Sequence, residues 1–269
     1  MRGRVLIIAG SDSGGGAGIQ GDIKTVTALD GYAATAITAL TAQNTEGVFA
    51  VAGVAVDFIA RQIELVLSDI GADAIKTGML HNAEVIDAVC DALEGKAGHI
   101  PLIVDPVMVA KGGEPLLDAE AVGTLKKRLV ANAQLITPNL PEAEALTGRA
   151  IEDIEAMRRA AETLKALGPR AVLLKGGHLK GEVIADVYLD DDGMEVFESK
   201  RIDTRDTHGT GCALASAIAT GIAQDMPLKE AVVRARAYVR EAIRTAPGLG
   251  SGHGPLNHAH TVRPYPARQ

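Results

Sequence analysis

The chain has 269 residues, 47% of them hydrophobic, with 30 glycines and no tryptophan. At that length the chain can form one large α/β unit or two small ones, and the composition suits a buried parallel sheet with many tight turns. A net charge of −7, from 27 basic and 34 acidic residues, argues against nucleic acid as the main partner, because such binders favour a basic face.

Cys90 and Cys212 stand far apart and match neither a metal nor a disulfide spacing, which suggests a reducing, cytoplasmic setting. The apolar run at residues 5–9 is too short for the core of a secretory signal, and no apolar run approaches the roughly 18 residues of a membrane span. No membrane partner is therefore expected.

Residues 5–9 read as a strand buried on both faces, ended by Gly10. A glycine-rich loop at 11–16 leads into helical spacing at 17–29, with Ile19, Ile23 and Val26 on one side. Strand, loop and helix open a βαβ unit. Gly16, Gly18 and Gly21 match a dinucleotide fingerprint, but residues 10–15 separate them from the strand, and the next strand does not end in an acid. Lys24-Thr25 follows Ile23 rather than glycine, so a phosphate loop of the Walker type is not indicated either.

Residues 33–41 read as a second strand, with Gln43 and Asn44 just past its end. Ligands of open α/β sheets bind at the carboxyl ends of strands. The Gln43 amide carries both donors and an acceptor, which suits a heterocycle edge; the plainer reading is a turn amide facing water. Helices are expected at 56–67, 83–93, 119–130 and 154–167, and strands at 74–77, 101–104, 134–137 and 171–174. Cys90 shares the apolar side of its helix with Ile86 and Val89 and reads as core.

Three of those strands end in chemistry-bearing residues. Asp105 follows one, Asn139 and Glu142 another, and Lys175 a third. Two carboxylates at neighbouring strand tips would attract a hard divalent cation, although either acid also suits a helix cap or first turn. Lys175, beside Gly176 and Gly177, is placed to reach a phosphate; a solvated turn lysine is the alternative. The loop at 107–117 contains Lys111-Gly112-Gly113 and is expected to move over a ligand. Segments 181–188 and 194–197, split by Asp190–Gly193, read as a hairpin forming an antiparallel edge.

Asp206-Thr207-His208-Gly209-Thr210-Gly211-Cys212 runs straight into a small, apolar helix at 213–223. Gly209 and Gly211 free the backbone to curl its N–H groups toward one point. The helix start adds partial positive charge, and Cys212 lies in the first turn, where a thiol pKa tends to fall. The segment reads as a socket for a transferring phosphoryl group with a proton acceptor beside it, or, more plainly, as a glycine-lined helix entry with a small buried cysteine. A last helix at 227–243 has arginines on its wet face; a glycine-rich stretch at 248–254 and a frayed end at 263–269 follow. The alternation of strands and helices, without linker or repeat, predicts one doubly wound α/β unit over 1–269, with a mostly parallel sheet and helices on both faces.

Seven of these segments, in order, resemble the hydroxymethylpyrimidine/phosphomethylpyrimidine kinases of thiamine biosynthesis, within the ribokinase superfamily. They are Ala9-Gly10-Ser11-Asp12 with residues 15–20, residues 39–45, Lys76-Thr77-Gly78-Met79-Leu80, residues 105–111, residues 137–143, Lys175-Gly176-Gly177-His178 and residues 206–212. The resemblance implies a ribokinase-like fold, ATP and Mg²⁺, a homodimer, and an aminopyrimidine alcohol as acceptor. It implies that Gln43 and Asp22 pair with the pyrimidine, with Gly10 and Met79 near the ring. Asp105, Asn139, Glu142 and Thr207 fall at the Mg-ATP end, with Lys175 on a phosphate. Gly209, Thr210, Gly211 and Cys212 form the anion hole and base. Ser13-Gly14 and Gly112 depart from the usual pattern. A pyridoxal kinase, a sugar kinase, which would carry Asp at position 212, and a non-catalytic pyrimidine-binding protein are the competing readings.

Overall fold

Alternation along the first strand sets the architecture. In β1 (Arg4–Asp12), Leu6 and Ile8 face one side while Val5, Ile7 and Ala9 face the other, and all five are buried. Only a strand covered on both faces has such a pattern. The computed structural model describes residues 1–109, 117 and 119–263. The expected moving loop at Lys111-Gly112-Gly113 and nearly all of the expected frayed end lie outside the described residues.

Among the described residues, one nine-stranded sheet runs in the order β3-β2-β1-β4-β5-β6-β7-β8-β9. β2 (Tyr32–Gln43), β1, β4 (Ala74–Thr77), β5 (Leu102–Val104), β6 (Leu135–Ile136) and β7 (Val172–Leu174) are parallel. β8 (Val183–Asp190) and β9 (Gly193–Lys200) form the expected antiparallel edge. The opposite edge is a second hairpin that the sequence reading did not include. β3 (Val48–Gly53) runs antiparallel to β2, across a turn in which the Asn44 side chain accepts the Glu46 N–H at 2.8 Å.

Helices α2 (Val56–Asp69), α3 (Ala83–Leu93), α4 (Ala119–Thr124), α5 (Leu140–Thr147) and α6 (Ile154–Lys165) cover the face of Leu6 and Ile8. α1 (Gly18–Ala28), α7 (Thr210–Ala223) and α8 (Leu228–Arg244) cover the face of Val5 and Ile7. The doubly wound architecture is as expected. α7 is buried all round, from Ala213 to Gly221, which its small side chains permit. The predicted single helix over 119–130 differs: α4 stops at Thr124, residues 125–129 form a widened π-type turn, and a 3₁₀ turn ends at Asn132. From that turn Arg128 reaches Asp87, Asp91 and Glu94 at 2.7–2.8 Å. The α8 arginines are not all wet. Arg236 binds Asp186 at 2.9 Å and lies over the Phe197 ring at 5.1 Å, which fastens α8 to the edge hairpin.

Candidate active site

The strand tips of the sheet converge on the mouth of α7. Its N-cap, Gly209, has φ +85°, a backbone that disfavours a side chain. A Cβ there would also run into the Gly16 carbonyl. The mouth of α7 is thus pressed directly against the glycine loop after β1, and the N–H groups of Gly211 and Cys212 lie in a first turn that no side chain caps, while the Thr210 N–H donates to the Thr207 carbonyl at 3.4 Å.

Two charged side chains stand beside that turn. The Lys175 Nζ lies 3.0 Å from the Asp105 Oδ1, which also accepts the Thr137 hydroxyl at 3.1 Å. Built from Gly211, a Cβ would sit 3.2 Å from the Lys175 Nζ and 3.5 Å from the Asp105 Oδ2, so both groups crowd the helix mouth. Burial works to lower the Lys175 pKa, but Asp105 and Glu142 outweigh it and raise the pKa. Lys175 therefore stays charged.

Glu142 makes two hydrogen bonds with one neighbour. With Asn139 it forms a capping box at the start of α5: the Asn139 N–H donates to the Glu142 carboxylate at 2.8 Å, and the Glu142 N–H to the Asn139 amide at 2.9 Å. The first-turn reading of Glu142 is therefore realised. Glu142 is nevertheless buried, and burial pushes its pKa up to about 7, with Lys175 opposing and Asp105 reinforcing the shift. Two buried acids that repel each other fit a divalent cation as neutraliser. Among the described residues no three His, Cys, Asp or Glu side chains form a metal cluster. A cation held here would draw its remaining ligands from phosphate oxygens and water, as Mg²⁺ commonly does. Thr207 sits on the same segment as Gly209, and its carbonyl accepts the Thr210 hydroxyl at 3.1 Å.

Asp22 is found away from the expected pyrimidine surface. Its side chain is sealed from solvent, held by the Lys76 Nζ at 2.8 Å and the Ser216 hydroxyl at 2.6 Å. It faces α7 from beneath and cannot pair with a ligand in this arrangement. Burial works against the charge on Lys76, but Asp22, Cys212 and Asp105 overcome it and raise its pKa. The structure therefore places a buried ammonium under the helix mouth.

Cys212 also departs from expectation. The residue keeps part of its surface open, yet the sulfur, which governs titration, is surrounded by protein. Burial pushes the thiol up to about 12; Lys76 opposes this, while Asp22 and Asp105 add to it. Desolvation and two carboxylates outweigh the helix end. The resting thiol is neutral.

At the acceptor side, Gln43 is the last residue of β2, 3.1 Å from the His208 imidazole and 3.3 Å from the Thr41 hydroxyl. A small hollow is lined by Gln43, Asn44, Thr45, His208 and His253, among others. Gly10 and Met79 approach each other: a Cβ on Gly10 would meet the Met79 sulfur at 3.0 Å. A larger cavity of about 590 Å³ lies at the other end of the sheet, between Gln134, Arg170, the β8–β9 turn and Pro227–Lys229. It holds none of the converging groups, and size alone does not make it the site.

A family model described as phosphomethylpyrimidine kinase matches residues 12–257. The chain belongs to the phosphomethylpyrimidine kinase family. It is 55% identical, over 96% of its length, to the thiamine biosynthesis bifunctional protein ThiED of Geobacter sulfurreducens, and spans about half (52%) of that longer protein. It is 49% identical to a hydroxymethylpyrimidine/phosphomethylpyrimidine kinase of Rhizobium meliloti, covering 95% of this chain and 96% of the relative. Among solved structures, a Bacillus subtilis pyridoxal kinase in complex with ADP superposes with a TM-score of 0.89 at 36% identity, covering 96% of this chain and 98% of that one. The ribokinase-like fold and kinase family implied by the seven motifs are those found.

Sequence reasoning assigned no role to Lys76, Asp12, His208 or Ser216 in this kinase. Lys76 carried a signal: a lysine inside a four-residue strand that is otherwise Ala, Ile and Thr must be buried, and a buried lysine needs a partner. Asp12 accepts the N–H groups of Gly14, Gly16 and Ala17 at 2.7–3.0 Å and binds His208 at 2.8 Å. Only the fold brings those last two residues together.

Proposed function

We propose that this chain transfers the γ-phosphoryl group of ATP to the hydroxymethyl group of 4-amino-5-hydroxymethyl-2-methylpyrimidine, and then phosphorylates the monophosphate to the diphosphate, in thiamine biosynthesis. One observation carries the reading. The 206–212 segment touches the acceptor amide through His208 and Gln43, and the charged phosphate side through Gly211, Lys175 and Asp105. A single turn is thus shared by both halves of a transfer site. The family membership and the names of the relatives support the same chemistry.

In this mechanism Gln43 pairs with the pyrimidine edge, while Gly10 and Met79 set the depth of the ring. The N–H groups at Gly209–Cys212 and the Lys175 ammonium receive the moving phosphoryl group, whose transition state demands positioning and charge neutralisation more than covalent help. Mg²⁺, when held by Asp105 and Glu142, supplies further neutralisation of phosphate charge. Asn139 and Thr207 line the nucleotide end. Cys212 receives the hydroxymethyl proton only after releasing its own, and the Lys76 and Lys175 ammonium groups favour that ionised form. Asp22 holds Lys76 in place.

A homodimer acting in the cytoplasm completes the proposal. No helix among the described residues is long and apolar enough to cross a membrane. The β3 edge presents Phe49, 70% exposed, with exposed Val51 on the same strand and exposed Leu40 on the paired β2, an apolar margin suited to a second copy.

The test is a product assay with ATP, Mg²⁺ and hydroxymethylpyrimidine, with pyridoxal as the competing acceptor. Mono- and then diphosphate are expected, with a higher kcat/KM for the pyrimidine and loss of turnover in EDTA. Monophosphate alone would remove the second step. A preference for pyridoxal, the acceptor named for the Bacillus subtilis neighbour, would replace the substrate.

A further inference from the structure

The contacts of His208 prescribe how the Gln43 amide must be turned. The Asp12 carboxylate accepts three backbone N–H groups. Burial pushes its pKa up, but His208 and the Ala17 and Gly14 N–H groups more than offset this and hold the acid below its ordinary range. It is therefore ionised and acts only as an acceptor. The imidazole Nε2 lies 2.8 Å from the Asp12 Oδ2, so the proton must sit on that nitrogen. The same Nε2 lies 3.1 Å from the Gln43 Nε2. Two donors facing each other at that distance repel.

The second contact carries the same conflict. The Thr41 hydroxyl gives its single proton to the Ser11 carbonyl at 2.9 Å, so it has none for the Gln43 Oε1 at 3.3 Å. A half-turn of the amide resolves both. Its oxygen then accepts from the His208 Nε2–H, shared with Asp12, and its nitrogen donates to Thr41. An amide's nitrogen and oxygen are nearly equal in size, so the half-turn costs no space.

We infer that His208, backed by Asp12, is a positioning residue that fixes the donor–acceptor polarity of Gln43 and thereby selects an acceptor ring with the matching edge. This rests on the reading that Gln43 contacts the acceptor. With the oxygen toward His208 and the nitrogen toward Thr41, the amide keeps one N–H and one lone pair for a ligand, in a set order. A ring presenting an amino donor beside a ring-nitrogen acceptor matches that order; an amide free to turn loses this selectivity. His208 is rigid enough for the task. It is 8% exposed, its N–H donates to the Gly254 carbonyl at 3.0 Å, and its ring packs so closely on Gly16 that a Cβ there would lie 3.3 Å from the Nε2. Because His208 precedes Gly209, the residue that orients the acceptor amide is joined covalently to the phosphoryl hole.

The test compares His208→Met, His208→Gln, Thr41→Val and Gln43→Ala for kcat and KM with hydroxymethylpyrimidine and pyridoxal, alongside ¹⁵N-histidine spectra of the intact protein. Losing one ordering hydrogen bond is expected to raise KM for the pyrimidine about tenfold in His208→Met and Thr41→Val. The pyrimidine-over-pyridoxal preference should narrow by a similar factor, with kcat changed far less. His208→Gln retains an N–H donor and should restore KM to within about threefold of the parent. The His208 signal, assigned by its loss in His208→Gln, should show a protonated Nε2. A bare Nε2 overturns the inference. So does an unchanged acceptor preference in Thr41→Val, the variant that decides if His208→Met does not fold. If Gln43→Ala itself leaves KM unchanged, the reading of Gln43 as an acceptor contact fails first; if it raises KM while Thr41→Val and His208→Met do not, only the positioning role falls.

Discussion

The Lys76 Nζ lies 2.8 Å from the Asp22 Oδ2, and neither side chain has any surface open to solvent. Such a pair is strongly destabilised by removing one member, because a charge is left buried without compensation. Lys76→Met should cost about 3–5 kcal/mol in urea unfolding. The double variant Lys76→Met/Asp22→Leu should recover much of that loss while remaining poorly active, because the ammonium beneath α7 is gone. A double variant no more stable than Lys76→Met would show that the pair is not the source of the cost.

Gly209→Ala should uncouple folding from catalysis. The φ of +85° and the Gly16 carbonyl both oppose a methyl group, so the helix mouth must shift away from the glycine loop. Displacing oxyanion-type donors costs roughly 10²–10³ in kcat. Steady-state kinetics and a circular dichroism melt of the same sample check this: the expected result is a large fall in kcat with a folded protein.

Cys212 predicts an alkaline dependence. With its thiol pushed up to about 12, the ionised fraction rises about tenfold per pH unit through the neutral range. Single-turnover phosphoryl transfer should therefore accelerate between pH 7 and 9. Cys212→Ala should lower the rate by roughly 10²–10⁴ and flatten the profile. A level profile in the parent, or an alanine variant of near-parental rate, assigns the proton to another acceptor.

His258 predicts the acid side of stability. Its ring is buried between the Thr25 hydroxyl and the Gly16 carbonyl, and burial lowers its pKa to about 4 from the ordinary 6.5. A histidine depressed in the folded state favours folding fully above the unfolded pKa. That contribution is lost as pH falls from about 6.5 toward 4, up to about 3 kcal/mol. Denaturant titrations across this window should show the loss, and His258→Gln should make the slope shallower.

The sequence revealed the sheet and the site unevenly. Short all-apolar strands ending in Gly, Asp, Asn or Lys placed β1, β5, β6 and β7 and their tips, because burial on both faces leaves little other reading. β3 was missed because Val48–Gly53 is largely exposed and pairs only through β2. The expected tip residues Asp105, Glu142 and Lys175 do converge, since parallel strands end on one side. Asp22 was misplaced because its partners, Lys76 and Ser216, come from β4 and α7, far away in the chain. The same distance hid the Asp12–His208 contact. Local patterning reports which residues are buried; it does not report which buried charges meet.

Outward from β1 toward β9, the strands join one margin in the order in which they are synthesised. A nascent chain can extend the sheet strand by strand as it emerges from the ribosome. The face of Val5, Ile7, Ile103 and Leu173 must nonetheless wait for α7, and Asp22 waits for Ser216 and Asp12 for His208. Early translation products are thus sticky and half-clad, and competence to bind both substrates arrives in one late event.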